Sequence, residues 1–132
     1  MIFVDTSFWL ALYNRRDTHQ VEARALVERH AASQLVTTNH VRGETWTFLR
    51  RRAGHTAAVA FLDVLERSPR LRLTQLSEQA EQRALSWLRR HDEREYSFVD
   101  ATSFDVMRTL RIRSALAFDG DFSAAGYVEL RM

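Results

Sequence analysis

The chain has no cysteine and no lysine, one proline, and four glycines in 132 residues. Without cysteine, disulfides and thiolate-bound metal centres are excluded, and a reducing compartment fits. So little proline and glycine leaves no room for long flexible linkers, and there is no internal repeat or low-complexity tract. No apolar run approaches the ~18 residues of a membrane span. The N-terminal run Ile2-Phe3-Val4 is broken at once by Asp5, which is not the pattern of a secretory signal. The expectation is a single soluble, cytoplasmic domain covering residues 1–132, with no membrane partner.

The formal net charge is only +2, but the cations are of one kind. All 19 basic residues are arginine, and the isoelectric point is about 9.6. Every cation can therefore grip a phosphate through a planar, bidentate fork.

Ile2–Asp5 reads as a first strand. Thr6 is placed to cap an apolar helix over Ser7–Asn14, which carries Phe8, Trp9, Leu10, Ala11, Leu12 and Tyr13. A helix apolar nearly all round is either buried or covered by a partner. Asp17 or Thr18 opens a second helix with Val21, Ala25, Leu26 and Val27 inward. Gln34–Thr38 is a strand, and Asn39 an N-cap for a helix to about Arg52. Gly54 restarts a helix that Ser68-Pro69 ends. Leu71, Leu73 and Leu76 suggest a third strand. Ser77 and Ser97 cap two more helices, the latter with Val99, Met107 and Leu110 inward. Ser114–Phe118 and Tyr127–Leu130 complete the strands. Strands alternating with helices predict an α/β fold with a mostly parallel sheet covered on both faces.

Four acids sit where acids are poor structural choices. Asp5 ends Ile2-Phe3-Val4, Glu44 interrupts an apolar helix, Asp100 follows Phe98-Val99, and Asp119 follows Ala117-Phe118. In open α/β sheets the site lies beyond the carboxyl ends of the strands, where all four can meet. At ~4 Å and an effective dielectric near 20, two like charges repel by roughly 4 kcal/mol, so such a nest needs cations. Hard carboxylate oxygens suit Mg²⁺ or Mn²⁺. Such ions favour hydrolysis of a phosphodiester by water.

Each acid also has a purely structural role open to it. Ser97-x-x-Asp100 is a capping box, Asp119-Gly120-Asp121 is ordinary turn chemistry, and Glu44 can pair with His40 or an arginine. Asp5 is hardest to explain so. Arg50, Arg51 and Arg52 end a helix, where they complement its dipole or contact RNA. The five histidines show no ligand spacing. Trp46 and Trp87 read as core, and Trp9 as core or partner groove.

Val4-Asp5-Thr6-Ser7, Glu44, Ser97-Phe98-Val99-Asp100-Ala101 and Phe118-Asp119-Gly120-Asp121-Phe122, in this order, resemble the PIN-domain ribonucleases. Within them they are most similar to the VapC-like toxins of type II toxin–antitoxin pairs. The resemblance runs through the whole chain. It implies a PIN-like α/β/α sandwich with a mostly parallel sheet of four to five strands. It implies Mg²⁺-dependent (or Mn²⁺-dependent) endoribonuclease activity through Asp5, Glu44, Asp100 and Asp119. Asp5, Glu44 and Asp100 are expected on one metal and Asp119 on a second or on a water, leaving a 5′-phosphate and a 3′-hydroxyl. Asp121 is a further candidate ligand, and Thr6 or Ser7 would orient ligands or water. A homodimer and an antitoxin whose tail fills the cleft are also implied, with Phe8–Tyr13 as a contact surface. Ala117 departs from the pattern, standing where relatives often carry a hydroxyl.

Two other readings remain open. A phospho-aspartate protein would use Asp5 as nucleophile, but it would need a lysine and would want an acid where Ser7 stands. A non-catalytic RNA- or protein-binding scaffold leaves the four acids without purpose.

Overall fold

A computed structural model describes residues 1–132. The order of elements is β1 (Ile2–Val4), α1 (Thr6–Tyr13), α2 (Gln20–Arg29), β2 (Leu35–Thr38), α3 (Asn39–Arg52) and α4 (His55–Arg67). Then follow β3 (Leu71–Thr74), α5 (Glu78–Arg90), α6 (Phe98–Leu110), β4 (Ser114–Leu116), α7 (Asp121–Ala124) and β5 (Val128–Glu129). The five strands form one sheet in the order β3-β2-β1-β4-β5, and all pairs are parallel. The α/β expectation holds, and the sheet is parallel throughout.

β1 is central and buried along its length, which is what the uninterrupted Ile2-Phe3-Val4 run requires. The chain travels one way from β1 to β3 and then crosses back to β4 and β5. Right-handed crossovers therefore set α1–α4 on one face and α5–α7 on the other. The aromatic residues follow this division. Trp9, Tyr13 and Phe61 meet edge-on or tilted, while Phe104 gathers Trp87, Tyr96, Phe122 and Tyr127. Phe3, Phe61, Phe104 and Phe122 are fully buried, and truncating any one to Ala is expected to cost about 3–5 kcal/mol. No helix is long and apolar enough to cross a membrane.

Several local expectations are corrected. Asp5, not Thr6, caps α1, accepting from the Ser7 amide. Thr38, not Asn39, caps α3, because the Asn39 side chain instead accepts from the Leu76 amide. α2 starts at Gln20, since Asp17 closes a turn onto the His19 amide. Val21 faces solvent, and Ala23 and Leu26 face inward. β3 ends at Thr74, short of Leu76. β4 ends at Leu116 because the Phe118 amide turns to Ser7 Oγ and the Ala117 carbonyl to Arg131. β5 shrinks to Val128–Glu129, and the short α7 was not foreseen. Trp9 is core, only 3% exposed. The apolar helix α1 packs on α2, α3 and α4, so the chain itself covers most of it.

Candidate active site

β1 lies where the direction of strand succession reverses, the switch point at which α/β sheets open a crevice. Asp5 leaves β1 there, Asp119 lies three residues beyond β4, and α6 starts beside them. A cavity of about 250 Å³ opens at this place. Asp5, Glu44, Glu95, Asp100, Asp119 and Asp121 line it, with Thr6, Ser7, Ser97, Leu10 and Phe48. Carboxylate oxygens of Asp100, Asp119 and Asp121 come within 4.8 Å of one another. The structure thus brings the expected acids to one cavity, but Asp5 and Glu44 are outside the tightest group and Asp121 is inside it.

Each of the four aspartates commits one oxygen to the protein. Asp5 Oδ2 accepts from the Ser7 amide and hydroxyl at 3.1 and 2.7 Å. Asp100 Oδ2 accepts from the Ser97 amide at 3.0 Å, in a capping box with Ser97 Oγ. Asp119 Oδ1 accepts from the Asp121 amide at 3.1 Å. Asp121 Oδ1 accepts from Arg94 Nε at 2.6 Å. The other oxygen of each accepts no hydrogen bond from an N–H or hydroxyl donor of the protein. Capping and turn roles are therefore real at Asp100 and Asp119, and each uses half of the carboxylate. Thr6 Oγ1, buried in the same wall, also has no partner.

The arrangement is electrostatically costly. Burial, with the charges of Asp119 and Asp100, holds the Asp5 carboxyl well above the usual range, against the hydrogen bonds from Ser7. Burial and the Asp121 and Asp119 charges push Asp100 up to about 7. Asp119 is the most open of the set, yet partial desolvation and the Asp121 and Glu129 charges raise it to about 6. Ser7 joins the two halves of the site, since its hydroxyl donates to Asp5 and accepts from the Phe118 amide at 3.0 Å. The loop bearing Asp119 and Asp121 is braced from outside. Glu129 accepts from the Gly120 and Ser123 amides, Arg131 donates to the Ala117 carbonyl, and Arg94 donates to the Asp119 carbonyl. Gly120 has φ +82°, and a Cβ there would stand 3.1 Å from the Arg94 guanidinium.

Other expected residues fall elsewhere. His40 pairs with Glu81 at 3.1 Å, not with Glu44, and Glu44 makes no ion pair. Arg50, Arg51 and Arg52 are exposed at the end of α3, and Arg52 lies over the ring of Phe48 on the cavity wall. Sequence reasoning missed Glu95 and Arg94, which belong to a charged segment that reads as a solvated loop.

Fold and site define a class. The family model for the PIN domain matches residues 2–126, and the chain belongs to the PIN-domain family. Within it the chain is similar to proteins named 23S rRNA-specific endonuclease VapC20 from Mycobacterium tuberculosis. Those of the CDC 1551/Oshkosh and ATCC 25618/H37Rv strains are each 55% identical over 131 residues, covering 99% of this chain and 98% of theirs. The crystal structure of M. tuberculosis VapC20, described as a sarcin–ricin loop cleaving toxin, superposes with a TM-score of 0.94 at 53% identity over 100% of both chains.

Proposed function

We propose that the chain is a toxin endoribonuclease that hydrolyses a phosphodiester in the sarcin–ricin loop of 23S rRNA, using Mg²⁺ or Mn²⁺. The observation that carries the reading is the set of four aspartates, each fixed through one oxygen and free at the other. Carboxylates held this way fit a hard divalent cation, and the raised pKa values of Asp5, Asp100 and Asp119 mark a site that such a charge would relieve. The high identity to VapC20 over nearly the full length supports the rRNA target.

Asp100, Asp119 and Asp121 would hold the ion, with Asp5 and Glu44 in the wall of the same cavity. A bound divalent ion polarises the phosphoryl group and lowers the pKa of water. The chain's own contribution is placement. Ser7 fixes Asp5, Ser97 fixes Asp100, and the Asp121 amide fixes Asp119, so the acids need not reorganise when substrate arrives. Thr6 Oγ1 is available to orient a ligand or water. The products are a 5′-phosphate and a 3′-hydroxyl. The same relationship supports a cognate antitoxin that closes the acidic cleft, a homodimer, and action in the cytoplasm, where ribosomes are.

The test is a labelled RNA hairpin carrying the sarcin–ricin sequence, incubated with Mg²⁺ or Mn²⁺. A single cut abolished by EDTA and by Asp5→Asn, with a 5′-phosphate on the downstream product, is expected. Cleavage that survives EDTA, or a folded Asp5→Asn protein that still cuts, overturns the proposal.

A further inference from the structure

A second and larger cavity, about 660 Å³, opens between α5 and α6. Its wall includes Arg83, Arg90, Arg108, Asp105, Trp87 and Thr109, and only one of its eight lining residues is apolar. Asp105 is the organising group. Its side chain is 4% exposed and accepts from Arg83 Nε and Nη2 at 2.9 and 3.0 Å, a bidentate fork. Arg108 Nη2 stands 3.4 Å from the same carboxylate. Both arginine side chains remain about half exposed and line the groove.

One arginine suffices to neutralise one buried aspartate. Here three arginines share a groove with one carboxylate, which leaves it two charges positive. Asp105 holds two of the guanidiniums in place against their mutual repulsion, and so lowers the entropy lost when they meet an anion. An adjoining cavity of about 230 Å³ shares Arg83, Asp105 and Thr109 and adds Arg72. A groove lined almost wholly by charged and polar residues does not suit the core of a protein interface. Two copies of the chain meeting here would oppose like charges. The active site is within reach: Arg108 lies eight residues after Asp100 on α6, about 12 Å along the axis at ~1.5 Å per residue.

We propose that this groove binds the phosphodiester backbone of the RNA substrate outside the few nucleotides around the scissile bond, with Arg83 and Arg108 as a phosphate clamp that Asp105 preorganises. The inference rests on the ribonuclease reading and adds a substrate-positioning site outside the acidic cavity.

The experiment compares wild type with the double variant Arg83→Gln/Arg108→Gln, checked for folding by circular dichroism. Binding of a fluorescein-labelled sarcin–ricin hairpin is measured against salt concentration with Ca²⁺ in place of Mg²⁺. Loss of two phosphate contacts is expected to flatten the slope of log K against log salt by about 1.4–1.8. In Mg²⁺ the KM for the hairpin should rise roughly tenfold with kcat unchanged. Cleavage of an RNA of a few nucleotides around the scissile bond should not change. An unchanged salt slope and KM overturns the proposal. A change in oligomeric state by sedimentation, with the slope intact, also overturns it and makes this face an interface between copies. The binding slope is read without turnover, so a wild-type protein that cuts no RNA would sink the nuclease reading while the slope still decides the groove.

Discussion

Asp100 and Asp105 stand five residues apart on α6 and are almost equally buried, at 6% and 3% exposure. Their surroundings are opposite. Asp105 looks across to α5 and is met by Arg83 and Arg108. Asp100 looks into a cavity of other acids and is raised to about 7. The first is a carboxylate that the fold neutralises, and the second is one that the fold leaves for something else to neutralise. Burial alone does not mark a functional acid. Burial without a protein cation does.

The contrast predicts opposite outcomes for the same chemical change. Asp100→Asn, like Asp5→Asn, is expected to lower RNA cleavage by about three orders of magnitude, because several kcal/mol of transition-state stabilisation depend on the ion it would hold. The metal-free Asp100→Asn protein should melt higher than wild type at pH 8, since a disfavoured charge is gone. A lower melting temperature with retained cleavage would reverse the assignment of the two aspartates.

The pH dependence sharpens the same contrast. A carboxyl whose folded pKa is raised binds protons more readily in the native state. Its favourable contribution is full below the unfolded value of about 3.8 and is lost as pH rises through the folded value. With Asp119 at about 6 and Asp100 at about 7, the metal-free protein should lose stability between about pH 4 and pH 7. Saturating Mg²⁺ should restore it. The increase in melting temperature on adding Mg²⁺ is expected to be several degrees at pH 8 and near zero at pH 5, about 3–5 °C per kcal/mol for a chain of this size. An equal increase at both pH values would show that the ion does not bind where these acids titrate.

At Asp105 the expectation is the reverse. Asp105→Asn removes the anion that gathers Arg83 and Arg108, and the amide satisfies the buried position only in part. A loss of about 1–3 kcal/mol in stability is expected, measured by urea unfolding. Cleavage of a very short RNA should be nearly unchanged. Neutral stability would mean that the two arginines rehydrate fully and that Asp105 holds nothing in place.

The acidic half of this comparison was legible in the sequence, and the basic half was not. Asp5, Asp100 and Asp119 each follow an apolar run, so strand ends and a helix start could be read from local pattern, and parallel α/β topology supplied their convergence. Glu44 was read in the same way and lines the cavity, but neither it nor Asp5 belongs to the tight trio of Asp100, Asp119 and Asp121, a grouping that only the tertiary packing decides. Asp105 gave no signal. It lies inside an amphipathic helix, and its main partner, Arg83, is 22 residues away on another helix. Asp119-Gly120-Asp121 was legible as a turn, but the arginine that braces it was not. Cap positions slipped by one residue at Asp5 and Thr38, because sequence shows which side chains can cap and only tertiary packing decides which one does.

Arg94 tests the border between the two regimes, since it is a protein cation at the edge of the acidic cavity. It bonds one oxygen of Asp121 and the carbonyl of Asp119, so it both orders the loop and adds positive charge near a divalent ion. These effects oppose each other in Arg94→Ala. The side chain is 42% exposed, so the ordering contribution is small after solvent screening. The loop keeps its braces from Glu129 and Arg131. Repulsion of a doubly charged ion, by contrast, acts at full strength only when the ion is bound. The variant is therefore expected to bind Mn²⁺ about threefold more tightly, measured by titration calorimetry at low salt, and the gain should shrink as ionic strength rises. Weaker Mn²⁺ binding in Arg94→Ala would mean that loop order outweighs charge, and that Asp121 reaches the ion only when Arg94 aims it.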